Sequence, residues 1–306
     1  MSLSDTYFRH LCILRKLQKS AASQRDIKDY YESQCEIHGY NFVFSSRTFL
    51  RDKEEILSLY KKDIQYDLSS KKYYLEDDAI PDDFGNRITD AYNTYLALNM
   101  ADDLASYVHL EKRRPQGMEH FNDVLSALRD RLIIRFRYEK YYGQSLSERN
   151  VEPLALKEFE SRWYVLAKDL NDLAVKTFAL DRISNLELTR QKYKLEKGFD
   201  VNDYFRNCFG IIRPSEPGVK PEDILLSFKG DRGKYIKSLP LHESQRIVKD
   251  NEHELQVVLK LFITHDLIME LLSHGSELEV LKPASLRDIM QNILDNTGRL
   301  YSASGA

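Results

Sequence analysis

Hydrophobic residues recur at helical spacing through the first sixty residues of the chain. In the first predicted helix, over residues 5–19, the apolar positions three or four apart are Tyr7, Leu11, Leu14 and Leu17. A second helix is predicted over 24–37 with Ser23 as its cap, and a third from about Arg47 to about Tyr60 with Ser45 or Ser46 as its cap. Two β-prone runs over 64–75 flank a polar turn and predict a hairpin. Three short helices and a hairpin indicate a winged helix-turn-helix over residues 1–76.

The period of the pattern changes to two at residue 131. Residues 131–138 place Leu, Ile, Phe and Tyr side chains on one face and three arginines on the other, as in a half-buried strand. Three further β-prone runs follow over 150–156, 162–168 and 175–183. Strands at this spacing with short turns predict a small Sm/SH3-like β-barrel over residues 131–200.

Beyond the prolines at positions 214, 217 and 221 the pattern changes again. Its order is strand, helix, strand, strand, helix, strand, with a final helix over 285–301. This βαββαβ order predicts a ferredoxin-like α+β domain over residues 201–306. The fold class is therefore multidomain α+β.

An acidic segment separates the head from the barrel. Residues 76–111 hold one Lys or Arg and nine Asp or Glu, a net charge of −8. Helical periodicity returns over 86–110 and 118–129, so residues 77–130 are predicted to be an acidic linker with connector helices. The apolar faces of these helices could form a dimer seam or pack on their own domain.

Charge is uneven although the whole chain carries only −3. Residues 1–75 have a net charge of +3, and residues 112–200 have a net charge of +4. These two basic regions could bind nucleic acid, or they could be solvated surfaces without a partner. No apolar run reaches the roughly 20 residues of a membrane span, and the N-terminus lacks the apolar core of a signal peptide. Three widely spaced cysteines predict no disulfide framework or metal site, so a cytoplasmic location is expected.

The third predicted helix carries the candidate DNA contacts. Arg47 and Arg51 are four positions apart and project from one helical face, where guanidinium groups can meet guanine or phosphate. The helix would enter the major groove and the hairpin would form the wing. The predicted DNA-binding residues are Ser46, Arg47, Thr48, Arg51, Lys71 and Lys72. The alternative is that the three helices and the hairpin are a common packing arrangement without DNA binding, and that Arg47 and Arg51 are ordinary surface residues.

Four short segments resemble the WYL domain family in their order. They are Phe136-Arg137-Tyr138, Ser147 to Pro153, Trp163-Tyr164-Val165, where Val replaces the family's Leu, and Phe178 to Ile183. Arg47 to Asp52 is also similar to the recognition helix that commonly precedes such domains. The βαββαβ tail is similar to the C-terminal extension of the family, called WCX.

The resemblance implies a homodimeric regulator that senses a nucleotide or nucleic-acid fragment. It implies these ligand-binding residues: Tyr138, Ser147, Arg149, Trp163, Tyr164 and Arg182. Aromatic faces for bases and cationic forks for phosphates fit that role. Each residue also has a structural alternative, since Trp163 and the tyrosines could be core aromatics and Asp181 could pair with a nearby arginine.

The expected function is ligand-responsive transcriptional regulation on a double-stranded DNA operator, without a cofactor, a metal or a membrane partner. The alternative is a regulator of a defence or repair system that senses single-stranded nucleic acid. The motifs of hydrolases, nucleotide-binding loops and zinc proteases are absent from the sequence, so enzymatic activity is not expected. A nucleotide-processing enzyme is the third possibility.

Overall fold

The computed structural model describes residues 3–37, 39–40, 44–60, 62–76, 117–141, 145–196, 198–216 and 218–302. The chain divides into two compact units, residues 1–112 and residues 113–306. Residues 77–116 of the predicted linker, with the predicted helix over 86–110, lie outside the described residues, whereas the predicted helix over 118–129 lies within them. None of the helices within the described ranges is long and apolar enough to cross a membrane.

The first unit contains three helices and a hairpin. They are α1 (Leu3–Lys19), α2 (Gln24–Ile37), α3 (Ser46–Tyr60), β1 (Ile64–Asp67) and β2 (Lys72–Leu75). The strands are antiparallel, and Tyr73 exchanges two backbone hydrogen bonds with Ala22, which joins the hairpin to the start of α2. All three helices bury apolar side chains in one core. These elements agree with the predicted pattern, and the assignment as a winged helix-turn-helix stays a prediction.

The first part of the second unit is a five-stranded antiparallel sheet covered by one helix. The helix is α4 (Phe121–Asp130), and the strands are β3 (Leu132–Lys140), β4 (Ser145–Phe159), β5 (Arg162–Asp169), β6 (Val175–Ala179) and β7 (Ile183–Lys192). The sheet order is β6-β5-β4-β3-β7. Among the described strands no ladder joins β6 to β7, so closure into the predicted barrel is not confirmed.

A short helix, α5 (Val201–Phe205), leads to a second sheet. Its elements are β8 (Glu222–Lys229), α6 (Arg232–Ser238), β9 (Arg246–Asp250), β10 (Glu254–Leu261), α7 (His265–Ser273), β11 (Leu278–Lys282) and α8 (Ala284–Ser302). The strand order is β11-β8-β10-β9, with antiparallel neighbours. This is the βαββαβ order predicted from the sequence, and the ferredoxin-like assignment stays a prediction.

A small apolar cluster lies where the two sheets of the second unit meet. Leu166 of β5 packs with Phe205, Cys208 and Phe262. Backbone hydrogen bonds add to this junction, because Phe262 donates to the carbonyl oxygen of Asn207 at 2.9 Å. The segment that follows α5 is therefore attached to both sheets, and it contributes to the site described next.

Candidate functional site

A cavity of about 330 Å³ opens at the edge of the five-stranded sheet. Strands β3, β4 and β6 form one side of it, and α5 with the segment after it forms the other. The lining residues are Tyr138, Lys140, Arg149, Val175, Lys176, Thr177, Phe178, Tyr204, Ile211, Ile212, Arg213 and Ser215. Four of these side chains are cationic and none is a carboxylate, so the lining suits an anionic ligand with an apolar part.

Asp169 lies beneath the cavity and holds two of its cations. Its carboxylate is fully buried and accepts hydrogen bonds from Arg149 Nη1 at 2.8 Å and Lys176 Nζ at 2.9 Å. Burial alone would raise the pKa of Asp169, but the hydrogen bond from Lys176, that from the Asn171 backbone and the two cationic charges bring it below its usual range. Asp169 is therefore ionised at neutral pH and fixes both cations before any ligand arrives.

Ser147 extends this network along β4. Arg149 Nε donates to Ser147 Oγ at 3.3 Å, so the guanidinium group is held by a hydroxyl on one side and a carboxylate on the other. Residues two apart on a strand share a face, which is why Ser147 and Arg149 meet. Tyr138 is the cross-strand partner of Ser147 on β3.

Tyr138 connects the cavity to a second cluster. Its ring is buried against Phe178 at 5.1 Å, and its hydroxyl accepts a hydrogen bond from the backbone of Ala179 at 3.3 Å. Burial raises the pKa of Tyr138, although the hydrogen bond from Ala179 and the charge of Arg182 oppose that shift. The hydroxyl therefore stays protonated and lies beside the Arg182 side chain.

Arg182 lies next to the cavity without lining it. Its guanidinium carbon is 4.1 Å from the centroid of the Tyr141 ring. Its Nε is buried and finds no hydrogen-bond acceptor in the part of the chain that the structure describes. The neighbouring Asp181 forms an ion pair with Arg162, which is the structural role considered for it from the sequence.

Comparison with known families gives two matches in this unit. The WYL domain matches residues 119–188, and the WCX domain matches residues 220–297. The chain contains a WYL domain followed by a WCX domain. The predicted resemblance is thereby confirmed. The WYL range covers α4, the strands β3 to β6 and the first part of β7, and the WCX range covers all four strands of the second sheet.

Two solved structures are similar to the whole chain at low identity. The first is proteasome accessory factor B/C (PafBC) of Arthrobacter aurescens, at 19% identity and a TM-score of 0.35 over 94% of this chain. This chain spans 46% of that protein. The second, a CRISPR Cas-related protein, has 10% identity and a TM-score of 0.40, with 99% and 86% of the two chains covered. No curated protein matches the chain.

The WYL domain places the six predicted ligand residues in different surroundings. Tyr138 and Arg149 line the cavity, Ser147 contacts Arg149, and Arg182 lies beside Tyr138. Trp163 instead packs edge-on against Phe121 of α4 at 4.7 Å, and both side chains are partly buried against the core of the sheet. Tyr164 is buried and is also absent from the cavity lining. Their assignment as ligand contacts stays a prediction.

Sequence reasoning predicted only two of the twelve residues that line the cavity, Tyr138 and Arg149. Lys140 and Lys176 lie on strands that were recognised, but nothing in their spacing distinguishes them from other surface lysines. Tyr204 and Arg213 lie between the WYL and WCX ranges, at the start of the predicted ferredoxin-like domain over 201–306, where no functional residue was predicted. The aromatic and basic run from Tyr204 to Arg206 was the available signal.

The predicted DNA-binding residues of the first unit lie at the start of α3 and on the hairpin. Ser45 caps α3, since its Oγ accepts a hydrogen bond from the Thr48 backbone at 3.2 Å. Ser46 and Arg47 in the first turn are exposed, and Arg51 is exposed and lies 3.4 Å from Glu55. Lys71 in the turn and Lys72 on β2 are exposed as well. The structure thus leaves the charged predicted contacts open to solvent.

The opposite face of α3 carries a buried ion pair that the sequence did not reveal. Arg9 of α1 donates to both carboxylate oxygens of Asp52, at 2.5 and 2.8 Å, and to Asp5 at 3.1 Å. His10 Nε2 is 3.3 Å from Asp52 Oδ1. Asp52 follows Arg51 directly, so this pair fixes the rotation of the helix that presents the predicted DNA contacts.

Proposed function

We propose that this chain is a DNA-binding transcriptional regulator whose WYL domain binds a nucleotide or a short single-stranded nucleic acid. The observation that carries the proposal is the cavity itself, with four cations, two tyrosines and no carboxylate in its lining. Phosphates need cationic forks, and bases need aromatic or apolar faces. The WYL and WCX domains and the exposed basic residues of the first unit support the same function.

In this proposal the first unit binds duplex DNA through α3. Arg47 and Arg51 contact base edges or phosphates, and Lys71 and Lys72 contact phosphates from the hairpin. The protein acts as a homodimer, with two copies of α3 on half-sites about 34–36 Å apart or a multiple of that distance. Effector binding changes the DNA affinity, and DNA binding changes the effector affinity by the same factor.

A mobility-shift titration on DNA upstream of the protein's own gene tests the DNA-binding part. The variant Arg47→Ala/Arg51→Ala removes two exposed cations of α3, and Arg206→Ala/Lys234→Ala removes two from the other unit as a control for total charge. We expect the first variant to lose at least about tenfold in affinity, since contacts of charged groups are worth about 1.5–3 kcal/mol each. Equal binding by wild type and both variants would reject α3 as the recognition helix.

The effector part is tested by titrating AMP and a 5′-phosphorylated four-nucleotide oligothymidylate into the full chain in a calorimeter. We expect binding that Arg149→Ala weakens and that falls as salt rises, because phosphate contacts release counterions. Chromatography after long incubation should show both compounds unchanged, since the proposal assigns binding and no catalysis. Turnover, or binding that Arg149→Ala leaves intact, would contradict it.

A further inference from the structure

One wall of the WYL cavity comes from outside the WYL domain. Tyr204, Ile211, Ile212, Arg213 and Ser215 line the cavity but lie between the WYL range at 119–188 and the WCX range at 220–297. We propose that Arg213 contacts an anionic group of the effector directly and that Asp266 of the WCX domain holds Arg213 in position. This inference rests on the proposed function of the cavity and names residues that complete it.

The surroundings of Arg213 fix its guanidinium group without neutralising it. Nη1 donates to the carbonyl oxygens of Tyr204 at 2.5 Å and Asp203 at 3.4 Å. The guanidinium carbon is 4.8 Å from the Tyr204 ring centroid and 5.7 Å from that of Phe262. Within the described ranges, Arg213 forms no ion pair with a carboxylate. A planar cation held on aromatic rings, with nitrogens left over for a ligand, is suited to phosphate.

Charge in the cavity is divided between two kinds of cation. Arg149 and Lys176 share the buried carboxylate of Asp169, and Lys176 also forms an ion pair with Asp172. Arg213 and Lys140 have no such partner among the residues that the structure describes. The positive charge left for a ligand therefore lies on Arg213, in the wall formed by residues 204–215, and on Lys140 of β3, so an anionic group gains most by contacting these two cations.

Asp266 attaches the wall formed by residues 204–215 to the WCX domain through hydrogen bonds. Its Oδ2 accepts hydrogen bonds from the backbone of Ile211 at 2.9 Å and Ile212 at 3.0 Å. Gly210 fits closely here, because a Cβ at that position would lie 2.5 Å from the same oxygen and 2.7 Å from the ring of Phe159. Asp266 is the second residue of α7, so the position of the WCX domain determines where Arg213 stands over the cavity.

The test is calorimetric titration of the full chain with the 5′-phosphorylated four-nucleotide oligothymidylate at several salt concentrations. Arg213→Ala should weaken binding at least about tenfold and reduce the slope of log affinity against log salt by about 0.7, the value for one phosphate contact on a single strand. Arg213→Lys should keep most of the slope. Arg206→Ala, which removes an exposed cation of the same segment outside the lining, should bind as wild type does.

Asp266 is tested by comparing two substitutions. Asp266→Asn keeps an oxygen that can accept both backbone hydrogen bonds and should retain the affinity, whereas Asp266→Ala should lower it as Arg213→Ala does. The positioning role predicts that Asp266→Ala adds little to Arg213→Ala in the double variant, because both remove the same contact. If the losses of binding free energy in the two single variants add up in the double variant, the positioning role of Asp266 is overturned. The test of Arg213 does not depend on this result, because its variants leave Asp266 unchanged.

The outcomes separate this inference from the proposed function. Binding that Arg149→Ala abolishes but Arg213→Ala leaves unchanged would overturn the role of Arg213 and leave the proposed cavity standing. Equal losses in Arg213→Ala and Arg206→Ala would also overturn it, since the loss would then come from general charge. Absence of wild-type binding would overturn the proposed effector class and the inference with it.

Discussion

Replacing Asp52 with Asn tests whether one buried ion pair holds the first unit together. The side chains of Arg9 and Asp52 are both fully buried, and the guanidinium group donates to both carboxylate oxygens. Asn keeps the size of the side chain but turns one acceptor into a donor that faces Arg9. The variant therefore removes one of the two carboxylates that contact this buried cation among the described residues and leaves Asp5, at 3.1 Å.

The expected cost follows from this geometry. Removing one partner of a buried ion pair destabilises a protein by about 3–5 kcal/mol, and the remaining Asp5 places this case near the lower limit, at about 3 kcal/mol. For a urea slope of about 1–3 kcal/mol/M, the unfolding midpoint of the first unit should fall by roughly 1–3 M.

The pH dependence has a definite sign. Burial would raise the pKa of Asp52, but hydrogen bonds from Arg9 and His10 and their charges bring it below its usual value. The contribution of Asp52 is complete above the unfolded pKa of about 3.9 and is lost as the pH falls through the lower folded value. The difference between wild type and variant should therefore be constant near neutral pH and shrink in acid.

The single tryptophan makes the assay specific for one unit. Trp163 lies in the second unit, so its fluorescence follows that unit alone, while far-UV circular dichroism follows both. Asp52→Asn should lower the midpoint of a circular dichroism transition and leave the fluorescence transition in place. Asp29→Asn, at an exposed pair 3.9 Å from Arg25, is the control and should cost at most about 0.5 kcal/mol. Equal effects of the two variants, or a parallel shift of the fluorescence, would refute the reasoning.

Two further predictions concern the second unit and use Trp163 fluorescence. Gly210→Ala should destabilise this unit by about 1–3 kcal/mol, because the added Cβ would meet Asp266 and Phe159. Gly298→Ala is the control, since a Cβ there has open space in α8, and it should be neutral or stabilising. Equal unfolding midpoints of the two variants would contradict the close packing at Gly210. Asp169→Asn should cost about 2–3 kcal/mol near neutral pH, since it weakens two charge-assisted hydrogen bonds, and the difference should disappear as the pH falls through the lowered pKa of Asp169.

Most of the secondary structure could be predicted from the sequence because each element depends on local spacing. The alternation in 131–138 became β3, and the capped run after Ser45 became α3. The network of Ser147 and Arg149 was within reach for the same reason, since residues two apart on a strand share a face. Trp163 shows the limit of this reasoning. The alternation of residues along β5 gives the face of the strand on which Trp163 lies, but it does not reveal that α4 packs against that face.

The buried pair in the first unit left a signal that spacing could have revealed. Phe49, Asp52, Ile56 and Tyr60 recur three or four positions apart, and all four are buried in α3. An acidic residue in an apolar stripe requires a partner, because an isolated buried charge is too costly. The partner could not be named from spacing, since Arg9 is 43 positions away and its approach depends on how α1 packs on α3.

The cavity combines motif residues that the sequence reveals with a wall that it does not. Arg149 belongs to the family motif, and its partner Asp169 fixes its direction while cancelling much of its charge. Arg213 lies outside both family ranges, and in the described part of the chain no carboxylate offsets it. The two cations therefore contribute differently to the binding of an anion. Arg149, which is held by Asp169, defines where the anion lies, and Arg213 supplies net electrostatic attraction. Since the carboxylate of Asp266 in the WCX domain holds the wall that carries Arg213, the affinity for the proposed effector should depend on the contact between the WYL and WCX domains as much as on the motif itself.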